Sequence, residues 1–385
     1  MDFSLTEAQQ RWQAVARAFA RDEVAPRARE ADETRHFDRD LVTKMGALGL
    51  LGALVPAEYG GSAMDALSYV LVSEELGWAD SSARGFLTVH AGLVSRFIAE
   101  WATPAQKAEY LPRLTSGEWI GCYCLTEAEA GSDAASIRTT ATRDGDDWTL
   151  YGEKIWITNG NVADLAIVMA TRDPTERHKS ICAFLVPTSA PGIIRTPMPG
   201  MELGHRASDH AHITLDNVRV PSAQMLGEPG HGFKMAMSAL DRGRLGVAAG
   251  AVGVGQACLD ACVSFARQRR QFGQRIGDFQ MIQATIADMA ADVQAARMLV
   301  YQAAWALDQG QSVTRATSIA KLFATEAAAR AASEAVLLHG NRGYSSEYPV
   351  ERYYRDIKGL QIYEGTSHIQ RVIIARDLLG REREQ

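Results

Sequence analysis

At positions 361–371 the chain reads QIYEGTSHIQR, with one carboxylate between an aromatic ring and a Gly-Thr-Ser turn that leads into an apolar-periodic run. A carboxylate on a turn can reach inward, whereas one on a strand is fixed by its sheet. Ser367 and Gln370 fit an S-x-x-Q capping box, so the turn is expected to open into a helix whose first N–H groups point back toward Glu364. Gly365 permits a close approach. Glu364 is either a base aimed into a site or a loop acid that supports a helix N-terminus.

Other stretches carry usable polar groups. YCLTEAEAGSD, at 123–133, sets hydroxyls and backbone groups beside a Gly-Ser turn, and KIWITNG, at 154–160, adds a tryptophan and a threonine. Each alone also fits a turn and a buried strand. RQRRQ, at 267–271, is a basic helix end, either solvated or an anion contact. GAVGVG, at 250–255, resembles part of a dinucleotide fingerprint, but that motif needs a preceding strand and this one lies within a helical stripe. Close helix packing accounts for it. Cys122, Cys124, Cys182, Cys258 and Cys262 lack CxxC spacing and a histidine cluster, so reduced core thiols are expected and no metal site.

The elements that must position these groups fall into three textures. Residues 1–118 read as helices, opened by a capping box of Thr6 and Gln9 and punctuated by Pro56, Gly60, Gly61 and Pro104. Residues 119–227 hold short β-branched and aromatic runs bounded by turns, with a hairpin expected over Asp144, Gly145, Asp146 and Asp147. Residues 228–385 return to helical period. Ile282, Ile286, Met289, Val293, Ala296, Val300, Ala303 and Leu307 draw one apolar stripe, and Leu240, Val247, Ala251, Val254, Cys258, Cys262 and Phe265 draw another before it. Paired long stripes with short connections predict an antiparallel bundle. The fold class is mainly α with a central β-domain; alternating βα units are absent, which argues against a doubly wound sheet.

A length of 385 residues with 46% hydrophobic composition supports a large core, and a formal charge of −6 with scattered basic residues gives no footprint for nucleic acid. The longest uncharged stretch, 245–259, is shorter than the roughly 20 residues of a membrane span and is interrupted by glycines, so no span is expected. The opening MDFSLTEAQQ has an acid at position 2 and no apolar run, which predicts no secretory leader and a cytoplasmic protein.

In order and spacing, CLTEAEAGSD, KIWITNG, LDRGR (240–244), RRQFG (269–273) and YRDIKGLQIYEGTSHIQR resemble the acyl-CoA dehydrogenase family over essentially the whole chain. The resemblance implies a helical N-terminal domain, a β-barrel-like middle domain and a C-terminal four-helix bundle, assembled as a homotetramer with non-covalent FAD. It implies oxidation of an acyl thioester, acyl-CoA of short or medium chain, to the α,β-enoyl thioester, with electrons passed to an electron-transfer flavoprotein in fatty acid metabolism. Glu364 is then the base that removes the α-proton, with its own backbone N–H among the donors to the thioester carbonyl.

By the same resemblance, Tyr123, Cys124, Leu125, Thr126, Gly131 and Ser132 match one flavin segment and Trp156, Ile157 and Thr158 a second. Arg269, Gln271, Phe272 and Gln280 match the region by which one subunit reaches its neighbour's FAD, and Leu337, Gly340, Asn341, Thr366 and Ser367 further cofactor positions. Ser132, Asp241, Arg244, Tyr363, Gly365 and Arg376 match substrate positions. Leu337 stands where the family often has glutamine, Asn341 where it has glycine, and Ala128 where proline is common; for the first two, the resemblance implies Arg342 as a compensating phosphate contact. Some members carry the base at the position of Gly243, which has no side chain here. Three other readings stay open: a dehydrogenase of a carrier-protein-bound acyl or aminoacyl thioester, a flavin oxidase or monooxygenase, and a non-catalytic acyl-binding protein.

Overall fold

The computed structural model describes residues 4–380; the acid at position 2 and the last five residues lie outside that range. Helices α1 (Glu7–Phe19), α2 (Ala25–Thr34), α3 (Arg39–Ala47), α4 (Ala66–Ala79), α5 (Ser81–Leu87), α6 (Arg96–Trp101) and α7 (Pro104–Ser116) come first. Thr6 and Gln9 form the expected reciprocal cap, and Thr103 and Gln106 form a second one at α7. Between α5 and α6 the chain is π-helical over Thr88–Ser95. Such wide turns occur often beside functional sites.

Strands β1 (Gly121–Cys124), β2 (Thr140–Asp144), β3 (Asp147–Thr158), β4 (Leu165–Thr171), β5 (Ile181–Pro187), β6 (Ile193–Pro197), β7 (His210–Pro221) and β8 (Met225–Leu226) form one sheet. Its order is β6-β7-β3-β2-β4-β5-β8, with β1 parallel to β4. Asp144 pairs with Asp147 across the expected hairpin. Trp148, Leu150, Val168, Phe184, Leu215 and Val218, from four of these strands, share one buried core. Each such side chain contributes about 1.5–3 kcal/mol on burial.

The bundle consists of α8 (Gly232–Gln268), α9 (Gln280–Asp308), α10 (Thr314–His339), α11 (Val350–Ile362) and α12 (Ser367–Leu379). A two-stranded hairpin, β9 (Arg270–Gln271) and β10 (Gln274–Arg275), joins α8 to α9. Met289, Val293, Ala296, Val300 and Ala303 of the expected stripe are buried along α9. Helix α8 is long and apolar enough to cross a bilayer, a length the uncharged-stretch argument understated, yet 72% of its apolar window is buried inside the protein, where it packs on α4, α9 and α10.

The glycines of α8 set its packing distance. A Cβ at Gly253 would lie 2.2 Å from the Glu74 carbonyl oxygen of α4, and one at Gly77 would lie 2.7 Å from Gly250 Cα. The two helices therefore touch backbone to backbone, and GAVGVG is a packing surface. All five cysteines are buried and free. A third core, with Leu93, Phe97 and Leu111 from the helices, Tyr123 and Leu125 from the sheet and Met235 and Ala239 from α8, fills the junction of the three regions.

Candidate active site

At that junction lies a cavity of about 140 Å³, lined by Tyr123, Leu125, Thr126, Trp156, Ile157, Thr158, Tyr363 and Glu364 among others. Strand alternation decides which side chains of the first segment reach it. Tyr123 and Leu125 do; Cys124 faces the opposite way, its Sγ 3.8 Å from Cys122 Sγ in the core. Within this chain Cys124 can therefore meet a bound group only through its backbone. Gly131 and Ser132 sit on an exposed turn and do not line this cavity.

The second segment is aimed by a bulge. The β3–β7 register shifts between Lys154 and Ile157, and Trp156 takes a left-handed backbone with φ 56°. Its ring is half-exposed at 51% and meets His210 edge-on at 6.2 Å. The two segments are tied together beneath the cavity. Ile155 N–H donates to the Thr126 carbonyl at 3.0 Å, and the buried Lys154 ammonium donates to the Leu125 carbonyl at 3.1 Å and to Glu127 Oε1 at 2.7 Å. The other bonds of the Glu127 carboxylate are to the N–H groups of Arg138 and Thr139.

Glu364 occupies the corner between α11 and α12. Its φ is 53° and that of Gly365 is 94°, so the chain reverses through two left-handed residues. For a non-glycine residue this costs roughly 1–2 kcal/mol. Side chains hold the turn: Gln370 Nε2 donates to the carbonyls of Glu364 at 3.2 Å and Gly365 at 2.8 Å, Lys321 Nζ to Gly365 at 2.8 Å, and Arg244 Nε to Glu364 at 3.4 Å. The helix cap differs from the expectation by one residue. Thr366 is the N-cap, its Oγ1 accepting from Ile369 N–H at 3.3 Å, whereas Ser367 lies inside α12 and donates to Glu326. Gln370 is free to hold the turn because it serves no capping box.

The Glu364 carboxyl is buried and its Oε2 has no protein partner. Burial pushes its pKa up to about 7, an effect that the charges of Arg244, Arg84 and Lys321 reduce. Burial also pushes the Lys321 ammonium down to about 8. Tyr123 and Tyr69 hydroxyls, buried nearby, are likewise unpartnered.

Arg244 is 4% exposed, pairs with Asp241 and so is an internal group, while the other oxygen of Asp241 accepts from Thr314 at 2.7 Å. Arg376 is exposed on α12 and outside the cavity. Arg269 ends α8, and Gln271, Phe272 and Gln280 are exposed around the β9–β10 hairpin. Leu337, Gly340 and Asn341 are exposed at the end of α10. None of these seven residues lines the cavity within one chain. Sequence reasoning missed Arg84, Lys154, His205 and Lys321. Arg84 and Lys321 had one available signal, a lone cation within an otherwise apolar helical run.

Three family models match the chain: Acyl-CoA dehydrogenase, N-terminal domain, over residues 6–118; middle domain, over 122–218; and C-terminal domain, over 230–379. Among curated relatives, the probable acyl-CoA dehydrogenase YngJ of Bacillus subtilis (strain 168) is 44% identical over 98% of this chain and 100% of its own. Among solved structures, butyryl-CoA dehydrogenase from Megasphaera elsdenii superposes with a TM-score of 0.96 at 40% identity, covering 98% of this chain and 100% of that one. A glutaryl-CoA dehydrogenase from Mycobacterium smegmatis, solved in complex with FADH2, gives a TM-score of 0.93 at 32% identity, covering 99% and 97%.

Proposed function

The chain belongs to the acyl-CoA dehydrogenase family, and from that premise we propose that it oxidises a short- or medium-chain acyl-CoA to the α,β-enoyl thioester, with Glu364 as the base. The carrying observation is the Glu364 carboxyl, buried, unpartnered at Oε2 and facing a cavity shared with Trp156 and Thr158.

The cofactor is FAD. The cavity suits it: Trp156 presents a half-exposed ring for stacking, and the hydroxyls of Thr126 and Thr158 line the same wall. Bound FAD supplies the two-electron acceptor for hydride from the β-carbon.

The rest of the chemistry falls to the protein. A proton next to a thioester carbonyl is far too weakly acidic for a carboxylate in free water. Donors on the carbonyl oxygen must stabilise the enolate-like charge as it develops, and the Glu364 backbone N–H is assigned that role with the base on the same residue. A carboxyl lifted to about 7 is about half ionised at neutral pH, so a substantial fraction is a carboxylate basic enough to accept the proton. Leu93, Leu125 and Leu240 give one wall of the cavity an apolar surface.

An electron-transfer flavoprotein as acceptor and assembly as a homotetramer complete the reading. The exposed β9–β10 hairpin supports assembly, because Phe272 at its tip is 93% exposed.

Anaerobic mixing of the holoenzyme with butyryl-CoA tests the function through loss of the visible flavin band. Glu364→Gln is expected to remain yellow and to bleach at least about a thousandfold more slowly. Bleaching of that variant at the parent rate would remove Glu364 from the chemistry.

A further inference from the structure

Between β6 and β7 the chain leaves the sheet and lies against α11. Two adjacent side chains of that helix grip it. Arg355 donates to the Leu203 carbonyl at 3.3 Å, and Asp356 Oδ1 accepts from the His205 N–H at 2.7 Å. Gly204, between the two, has no room for a side chain: a Cβ there would lie 2.6 Å from the Arg355 carbonyl oxygen and 2.7 Å from Asp356 Cα. One turn further along α11, a Cβ at Gly359 would lie 2.7 Å from the His205 ring. The loop and the helix therefore meet backbone to backbone. His205 keeps a left-handed φ of 54°, which a non-glycine residue holds only where its surroundings fix it.

The grip is itself anchored. Arg355 is fixed by Asp32 and Glu351, each at 2.7 Å, before it reaches Leu203. Asp356 is 2% exposed, and a carboxyl so deeply buried is costly unless its hydrogen bonds are made.

Both ends of this strap lead to the site. On the helix side, the His205 ring meets Tyr363 edge-on at 5.6 Å, and Tyr363 precedes Glu364. On the sheet side, the Asp209 carboxylate accepts from the Asn161 N–H at 2.7 Å and its carbonyl from the Asn159 N–H at 2.8 Å. The next residue, His210, meets the Trp156 ring. The segment thus joins the helix that carries the base to the strand end that carries the ring suited to stack on flavin.

Resting on the acyl-thioester reading, we infer that Arg355 and Asp356 are positioning residues, which hold residues 203–205 against α11 so that Glu364 and Trp156 keep one fixed separation. The α-proton and the β-hydride leave neighbouring carbons for acceptors held by two different regions of the chain. Those regions must be registered to each other, because a misplacement of about 1 Å costs on the order of a hundredfold in rate. Neither residue lines the cavity, so each acts through the loop.

Gly204→Ala is the sharper probe: its methyl wedges the loop from α11 and removes no hydrogen-bonding group. Asp356→Ala removes the acceptor, and Asp356→Asn keeps an oxygen for the His205 N–H. In single-turnover anaerobic bleaching by butyryl-CoA, the amplitude counts folded, flavin-loaded molecules and the rate constant reports registration. Both alanine variants are expected to keep the parent's flavin content, amplitude per flavin and KM while the rate constant falls about a hundredfold, and Asp356→Asn to recover to within about tenfold of the parent. A 3-thia acyl-CoA has no β-hydrogen to give, so the long-wavelength absorbance of its α-carbanion against oxidised flavin reads proton removal without turnover. That band is expected to be weaker in both alanine variants at saturating analogue. A parent rate constant in Gly204→Ala, or a loss confined to amplitude and flavin content, overturns the inference and leaves the acyl-thioester reading standing. Failure of the parent holoenzyme to bleach overturns both. If neither alanine variant retains flavin, Arg355→Lys decides: it keeps a cation for Asp32 but loses the fork that reaches Leu203, and an unchanged rate constant there sinks the assignment.

Discussion

The carboxylate of Glu364 fills the space that a side chain at Gly243 would need. A Cβ built on Gly243 lies 2.3 Å from Glu364 Oε2, 3.1 Å from its Cδ and 3.0 Å from Leu93 Cδ2. Position 243 on α8 and position 364 on the α11–α12 corner therefore compete for one site. A base can be mounted on either element, and a glycine on α8 is what lets the corner supply it.

Gly243→Ala follows directly. The methyl would force the carboxylate away from its resting position, and a displacement of about 1 Å costs on the order of a hundredfold in rate when geometry controls proton transfer. Flavin content should stay at the parent level, because the lining tryptophan and threonines belong to other elements. Stopped-flow bleaching by an acyl-CoA checks it; a parent-like rate would mean that the base does not work from this position.

Stability should move opposite to activity at Glu364. Its carboxyl sits at 4.5 ordinarily and at about 7 in the fold, so the folded chain holds the proton more tightly than the unfolded one. Its contribution to stability is complete below about pH 4.5 and is lost as pH rises through 7, amounting to about 3 kcal/mol at alkaline pH. Glu364→Gln mimics the protonated form. Its denaturation midpoint should exceed that of the parent at pH 8 and coincide with it near pH 4.5. A pH-independent difference between the two proteins would contradict the burial argument.

Lys321 is a positioning residue with a readout of its own. It holds the Gly365 carbonyl at 2.8 Å, and its charge is one of three that lower the Glu364 pKa. In Lys321→Met the turn keeps Gln370 as a second donor to the same carbonyl, so the fold should survive. Loss of the cation lets the Glu364 pKa climb further, and the acid limb of the kcat/KM profile should shift to higher pH. A lower rate with an unmoved limb would reduce Lys321 to a structural role.

Much of this architecture is legible in the sequence because its signals are local. The α9 stripe, the Asp144–Asp147 hairpin and the Thr6–Gln9 cap each need only a few neighbouring residues, and each is present. The α12 cap misleads because Thr366 and Ser367 are both good caps, and Gln370 lies three residues beyond the wrong one. Arg84, His205 and Lys321 are a different case. They reach Tyr363 and Gly365 from far earlier in the chain, and nothing adjacent to them announces the contact. Cys124 and Ser132 belong to a recognisable segment, yet strand alternation and an exposed turn take their side chains elsewhere.

The β9–β10 hairpin offers the last prediction, because its tip is poorly chosen for an isolated chain. Phe272 and Gly273 both have positive φ, 51° and 82°, in a two-residue turn where Asn-Gly is the favoured pair. An aromatic residue in that conformation costs roughly 1–2 kcal/mol, and its ring is 93% exposed, with Phe279 beside it at 6.1 Å. Strain and exposure together make sense if the ring is buried by a second copy of the chain. Phe272→Asn should therefore relax the hairpin and at the same time weaken the assembly, a combination that a surface residue without a partner cannot produce. Sedimentation velocity at falling protein concentration should show earlier dissociation than the parent, accompanied by faster loss of FAD on dilution. Unchanged sedimentation and unchanged flavin retention would remove the hairpin from both roles.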